Sequence, residues 1–479
     1  MKFSPRRFVA CIATAGALCA LSSPAALGED LVSPTLHSGE TSHQVVARIL
    51  DGHGADIAQR YGLTLVDSFA AEVGEEIAVL SDDSLDAEQI LYLLEGDGDV
   101  LDSEAASHVA LLGDGSAVDD GTALDLLRQG TVTSECYDGS FRQEVWSGFG
   151  DQQATAIIES RTAQEISNGC GNAVVALLDT GVDPRHPMLR EALVDGYDFI
   201  NRRAGVPSEW ANLNQSVSAI LEQSVSAILE QSVSAILEGE GDLLVLDASL
   251  APITGPDPSI NLDGIDVPPY FGHGTMAAGL IRVTAPGARI MPIRVFDGSG
   301  QAHLYNIIRG IYWATDQGAD IISMSFSTDK SSRELRRAIR YAHNRGVLLV
   351  AAAGNRGQRE RAFPASYWEV TGVASTDFND QLSEFSNYGQ AVASIAAPGS
   401  AVISTYPGGL FAAGWGTSFS APLVSGTFAL MLDNQKPRTL WERYELLFQI
   451  RYGADNIDDL RGYVIRGRRL NVRGAIELQ

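Results

Sequence analysis

Three short strings in this chain carry a carboxylate, an imidazole and a hydroxyl in fixed order: Asp179-Thr-Gly-Val-Asp183, His273-Gly-Thr-Met-Ala-Ala-Gly279 and Gly416-Thr-Ser-Phe-Ser-Ala-Pro422. A serine hydroxyl is a weak nucleophile at neutral pH. It becomes a strong one when an imidazole takes its proton and a carboxylate holds that imidazole in one tautomer. Asp179, His273 and Ser418 are therefore candidates for acyl transfer as orienting acid, general base and nucleophile. Ser418 stands at the head of an apolar run, Phe419 to Leu432, that reads as a buried helix. Its own N–H would lie where unpaired N–H groups and the helix dipole favour negative charge. A fourth string, Ala351-Ala-Ala-Gly-Asn355, ends in a side-chain amide.

The order of the three groups separates the known architectures. Chymotrypsin-like enzymes run His, Asp, Ser and α/β-hydrolases run Ser, Asp, His, whereas subtilisin runs Asp, His, Ser. Asp-Thr-Gly also marks pepsin-like aspartic proteases, but those need two carboxylates close together, and this chain has one copy of the string. The chain thus resembles a subtilisin-like serine protease over about residues 136–479. The resemblance implies an endopeptidase working through an acyl-enzyme, with no cofactor for catalysis and a protein or peptide as substrate. It implies an oxyanion hole from Asn355 and the Ser418 N–H. It makes Ile322-Ser-Met-Ser325 the strand that pairs with bound peptide, and Ser325, Phe326, Ser327, Ala353 and Gly354 the substrate-binding positions. Phe363-Pro364 resembles a cis-proline corner, and Ala397-Pro-Gly399 precedes the serine as in the family. Where the family string usually continues Leu-Gly, this chain has Phe326-Ser327, which is expected to add bulk and a hydroxyl near the groove. Arg356, Arg359 and Arg361 either form a cationic rim favouring acidic substrates or pair with Glu360 and water. The rival to the enzyme is a catalytically silent binding protein on the same fold.

Elements that would position these groups are legible. Ala173 to Leu178, Ile290 to Val295, Asp320 to Ser323 and Val347 to Ala351 are apolar runs with helical stretches between several of them, the pattern of a parallel sheet buried on both faces. Asp179 and Asn355 follow such runs, at the carboxyl ends where open α/β sheets place their sites. The fold class is α/β: a subtilisin-like three-layer fold with a mostly parallel central sheet. Ahead of it, residues 41–112 read as β-α-β-β-α-β, with strands at 44–50, 63–69, 76–80 and 105–112 and helices at 55–61 and 86–94. That is a small ferredoxin-like α+β unit. Through Ala58-Gln-Arg-Tyr-Gly-Leu-Thr-Leu-Val66 it is similar to the inhibitor-type prodomain of such enzymes, so the chain's own prodomain is expected as an intramolecular inhibitor. Residues 113–135 form a Gly/Asp/Ser-containing linker expected to hold the processing site.

Asp179 and His273 stand 94 positions apart, so an insertion is expected at about residues 202–265. Its centre is the octapeptide Gln215-Ser-Val-Ser-Ala-Ile-Leu-Glu222, present in three identical copies through Glu238. As a helix its apolar stripe would drift about 80° per copy.

At the N-terminus, Lys2, Arg6 and Arg7 precede an apolar run and then small residues, a secretory signal over residues 1–28. A secreted or periplasmic protein is expected. Loss of that leader, which has three cations and no acid, takes the net charge from −26 to −29. Such a surface repels nucleic acid and anionic lipid. No later apolar run is long enough for a membrane span. Two cysteines remain, Cys136 and Cys170, an even pair that in an exported protein suggests a disulfide, with two separate buried thiols as the alternative. Structural calcium is common in the family, but the sequence assigns no metal ligand.

Overall fold

The structure, a computed structural model, describes residues 43–110, 132–137, 141–167, 173–212, 243–246, 268, 270–432 and 440–478. Its N-terminal unit consists of β1 (Gln44–Leu50), α1 (Gly54–Tyr61), β2 (Thr64–Glu72), β3 (Glu75–Ser81), α2 (Ala87–Leu94) and β4 (Val100–Ala105). The strands pair antiparallel in the order β2-β3-β1-β4, a ferredoxin-like arrangement. Helix α2 begins where it does because Asp86 and Gln89 cap each other's backbone N–H groups. Strand alternation then sorts the side chains. Val45, Ala47 and Ile49 pack with Ile57, Ile90 and Leu94 in a small core, while Val46, Ile77 and Val79 face the other way into the core of the larger domain.

The final strand of this unit differs from the expectation. It lies at 100–105 rather than 105–112, and the next strand, β5 (His108–Ala110), leaves the sheet to pair antiparallel with residues 301–303. Hydropathy passes over Val100–Ala105 because its inward groups are acids matched to a helix start. Glu104 accepts from Ser332 Oγ and, at 3.0 Å, from Arg333 N, and Asp102 meets Arg333 and Arg337 at 2.8 Å.

The larger domain opens with a hairpin, β6 (Val132–Tyr137) and β7 (Phe141–Trp146). There follow β8 (Val174–Asp179), β9 (Gly196–Asp198), β10 (Arg203–Gly205), β11 (Leu243–Leu246), α3 (His273–Thr284), β12 (Arg289–Arg294), β13 (Gln301–His303), α4 (Leu304–Asp316) and β14 (Ile321–Met324). The chain continues through α5 (Arg333–Arg345), β15 (Leu348–Ala352), β16 (Val370–Thr376), β17 (Ile395–Pro398), β18 (Val402–Tyr406), β19 (Leu410–Gly414), α6 (Thr417–Met431), α7 (Leu440–Tyr452), β20 (Asp455–Asn456) and β21 (Arg468–Arg469). Ten strands form one sheet in the order β10-β9-β12-β8-β14-β15-β16-β17-β21-β20, antiparallel only at the two outermost pairings. Both faces are covered. Val175 and Leu177 of β8 pack into the same cluster as Leu280 of α3 and Leu423 of α6, and Ala176 and Leu178 pack with Ile307 of α4 and Leu335 of α5. This is the three-layer α/β arrangement in which every central strand is apolar on both sides.

One buried ionic contact joins the N-terminal unit to the larger domain. Arg48 on β1 is 3% exposed and donates to Glu334 of α5 at 2.8 and 3.0 Å and to the Tyr312 hydroxyl at 3.1 Å. Removing Arg48 leaves the buried Glu334 with Arg337 as its remaining cation among the described residues, so the cost is expected at the lower end of the range for a broken buried pair, about 3 kcal/mol. Arg48→Ala is therefore expected to lower urea-unfolding stability by that amount and to speed protease cleavage within residues 43–110. Replacing both partners, Arg48→Met with Glu334→Leu, should recover most of the loss.

Candidate active site

Three element ends meet at the carboxyl edge of the sheet. Asp179 is the last residue of β8, His273 the first of α3 and Ser418 the second of α6. The His273 Nδ1–H donates to Asp179 Oδ1 at 2.7 Å, with both side chains almost wholly buried. A buried carboxylate must be served by donors, and the same oxygen also accepts from Thr180 N at 2.8 Å and Thr180 Oγ1 at 3.2 Å. The approach of α3 to β8 requires glycine at 274. A Cβ there would lie 2.0 Å from the Gly181 carbonyl oxygen and 3.1 Å from Asp179 Oδ1.

Ser418 and Ser325 clasp each other's backbone. Ser418 Oγ donates to Ser325 O at 3.1 Å, and Ser325 Oγ donates to Ser418 O at 2.9 Å. The next residue, Phe419, sets its ring centroid 5.6 Å from that of His273. Asn355 is held by its carbonyl end: Oδ1 accepts from Thr417 N at 2.9 Å and Thr417 Oγ1 at 2.7 Å. Its Nδ2 is thereby turned towards Gly416, where a Cβ would sit 3.1 Å away. Asp179, His273, Ser418 and Asn355 are thus gathered at one end of one sheet.

The expected substrate-binding positions are close by, with one difference of detail. Ala353 and Gly354 are buried beside Asn355, and Gly354 N donates to Thr417 Oγ1 at 3.1 Å. Ser327 stays near Gly354, its Oγ 3.3 Å from where a Gly354 Cβ would be. The Phe326 side chain, however, is 0% exposed and packs 5.2 Å from the Phe296 ring, so its bulk goes to the core and not to a groove wall. Of the three arginines, Arg356 pairs with Glu360 at 2.9 Å. The Phe363-Pro364 peptide is cis.

Two buried titratable groups at this site carry no motif. His186 is enclosed, with Nε2 2.9 Å from Leu410 O and Nδ1 accepting from Met188 N at 3.2 Å, and burial pushes its pKa below the usual 6.5. Glu209 begins a short 3₁₀ helix, Glu209–Asn212, and is 2% exposed. It accepts from the Thr180 and Thr275 hydroxyls and from Gly274 N at 3.2 Å. Burial, reinforced by the charge of Asp179, lifts its pKa to about 7 against the donors that pull it down. No motif marks Glu209 in the sequence, and only the folded chain brings it under β8 and α3.

Other expectations fall elsewhere. Cys136 lies on β6, but Cys170 is outside the described residues, as are the leader, most of the linker and the octapeptide repeats. Among the described residues no helix is long and apolar enough to cross a membrane, and no group of three or more His, Cys, Asp or Glu is placed to hold a metal ion.

Residues 171–451, well over half of the chain, match the model of the subtilase family. Thermitase of Thermoactinomyces vulgaris is 32% identical over 330 residues, covering 67% of this chain and 94% of its own length. The thermophilic serine proteinase of Bacillus sp. (strain AK1) is 30% identical over 306 residues, covering 64% of this chain and 62% of that protein. Subtilisin Savinase of Lederbergia lenta is 37% identical over 169 residues, 33% of this chain and 62% of that one. In three dimensions the chain resembles crystalline fervidolysin from Fervidobacterium pennivorans, described as a keratinolytic enzyme related to subtilisin, with a TM-score of 0.62 at 20% identity over 92% of this chain and 62% of that one. The chain belongs to the subtilase family and is a subtilisin-like serine endopeptidase.

His186 gives this domain a pH-dependent stability of definite sign. Its folded pKa is lowered, so below 6.5 the unfolded chain takes up a proton that the folded chain resists, and stability falls as pH drops through that window. Urea midpoints at pH 7.5 and 5.5 should therefore differ less for His186→Gln than for the wild type.

Proposed function

We propose that Asp179, His273 and Ser418 form the catalytic triad of this endopeptidase, with Asn355 Nδ2 and the Ser418 N–H as oxyanion donors. The observation that carries the reading is the buried 2.7 Å bond from His273 Nδ1 to Asp179 Oδ1. That bond commits the ring to the tautomer in which Nε2 is the proton acceptor. Rotation of the Ser418 side chain from the Ser325 carbonyl oxygen towards the imidazole readies the nucleophile. Oγ then attacks the substrate carbonyl carbon, its proton passes to His273 Nε2, and the carbonyl oxygen takes up negative charge facing the two donors. His273 returns the proton to the departing amine. Water repeats the sequence on the acyl-enzyme and regenerates the serine.

The same reading makes the chain an exported, self-processing precursor. Residues 1–28 direct export, the unit spanning 41–112 acts as an intramolecular inhibitor, and the cut falls in the linker at 113–135. The support for inhibition is that β5 lies antiparallel on β13, with Ala110 opposite Gln301 and His108 opposite His303, so that the end of the N-terminal unit is held on the larger domain in a two-stranded sheet. Cys136 and Cys170 form a disulfide in this reading.

Labelling with a fluorophosphonate tests the assignment. The wild type should label and cleave peptides, and Ser418→Ala should do neither and should persist uncut on a denaturing gel. A wild type that neither labels nor cleaves would instead be a silent binding protein. Asn355→Ala should keep labelling detectable and reduce kcat by about 10²- to 10³-fold, the size known for this donor in subtilisin itself.

A further inference from the structure

Resting on the triad reading above, we infer that Glu209 is a positioning residue for the Asp179–His273 pair and acts through the single hydroxyl proton of Thr180.

The first support is where the carboxyl is anchored. Glu209 N donates to Val182 O at 3.1 Å, and Val182 N donates to Pro207 O at 3.0 Å, so the segment carrying Glu209 is stitched to the chain just beyond Asp179. Its side chain then grips both sides of the site. Thr180 directly follows Asp179, and Gly274 and Thr275 directly follow His273. All three donate to this one carboxyl group. A group that ties the acid-bearing strand end to the base-bearing helix start limits how far either can drift.

The second support is a count of protons. Thr180 Oγ1 accepts from Gly274 N at 3.1 Å and lies within donating reach of both Asp179 Oδ1 and Glu209 Oε1. A hydroxyl has one proton to give. When Glu209 is ionised, the Thr180 proton goes to Glu209, and Asp179 Oδ1 keeps only the donors His273 Nδ1–H and Thr180 N–H. When Glu209 holds a proton, it donates to Thr180 Oγ1, and the Thr180 O–H turns to donate to Asp179 Oδ1. That extra donor withdraws charge from the carboxylate supporting the imidazolium. Asp179 Oδ2 has no protein partner among the described residues, so what reaches Oδ1 weighs heavily. The titratable groups around Glu209 are Asp179 from β8, the adjacent His273 from α3 and Tyr406 from β18, whose phenol burial keeps neutral. The lifted pKa of Glu209 places the exchange of these two arrangements near neutrality.

Ionised Glu209 raises the basicity of His273 in two ways, by its own charge and by taking the Thr180 proton away from Asp179. The test is the pH profile of kcat/KM on a peptide ester for full-length wild type, Glu209→Gln, Thr180→Val, Thr180→Ser and the double variant Glu209→Gln/Thr180→Val. Fluorophosphonate labelling of the wild type and its loss in Ser418→Ala come first. If they fail, the triad reading has failed and not this one. Given that activity, Glu209→Gln should move the acid limb down by about half a unit to one unit, the scale set by a neighbouring charge. It should lower kcat by about 3- to 10-fold and leave KM within about two-fold. Thr180→Val, which cannot donate to Asp179, should move the limb slightly the other way, the double variant should shift it down by less than Glu209→Gln alone, and Thr180→Ser should restore the wild-type profile. A limb unmoved in both Glu209→Gln and Thr180→Val, with melting temperatures within a few degrees of wild type, would overturn the inference. If Glu209→Gln does not fold, the comparison of Thr180→Val with Thr180→Ser decides: equal profiles overturn the inference, and recovery in Ser alone supports it.

Discussion

A carboxylate and an imidazole hydrogen-bonded at 2.7 Å, with almost no access to water, constrain everything near them. In a dry site an ionised carboxylate is tolerable only when donors replace its hydration. Those donors have to come from backbone and side chains already committed to other work. Thr180 N–H is available because the chain turns immediately after β8. His273 is available because α3 begins at that residue, and α3 can begin there only because position 274 has no Cβ to strike Gly181. The parallel sheet beneath holds the base of the construction, since β8 lies between β12 and β14 with Asp179 in register beside Arg294.

The same logic of satisfied charge explains how the N-terminal unit sits on the larger domain. Its sheet is apolar on both faces, and one face is completed by the neighbouring helices and not by its own. Within that contact Arg48 meets Glu334, and at its edge Glu104 accepts from the first residues of α5. A helix start offers unpaired N–H groups, so an acid presented by a strand is a natural partner. Precise placement of these charges fixes where β4 ends and lets β5 run on to β13.

Glu209 shows the site's dependence on chain segments with no chemistry of their own. It follows the β9–β10 hairpin and stands six residues before the first octapeptide copy at Gln215. A residue inside the expected insertion at about 202–265 is thus bonded to both the acid-bearing and the base-bearing segments.

Much of this was readable from the residues alone. The order Asp, His, Ser, the Asn355 string and the apolar runs ending at Asp179 and before Asn355 specify chemistry and sheet type, because nucleophile activation and strand burial each demand particular residue types at particular places. The order of strands and helices in the N-terminal unit was legible for the same reason, up to its last strand. There, Asp102 and Glu104 turn inward towards cations and a helix start supplied some 230 positions later in the chain, and periodicity carries no trace of a partner that distant. Phe326, two residues beyond β14, went to the core and not to the groove because its ring packs against Phe296, a partner 30 positions earlier in the chain. Glu209 was invisible because a carboxyl in a loop looks solvated until folding encloses it. Local pattern determined which groups could react and on what kind of sheet. Only tertiary packing decided which were buried, which shared a proton and which faced one another, since those properties belong to contacts between distant parts of the chain.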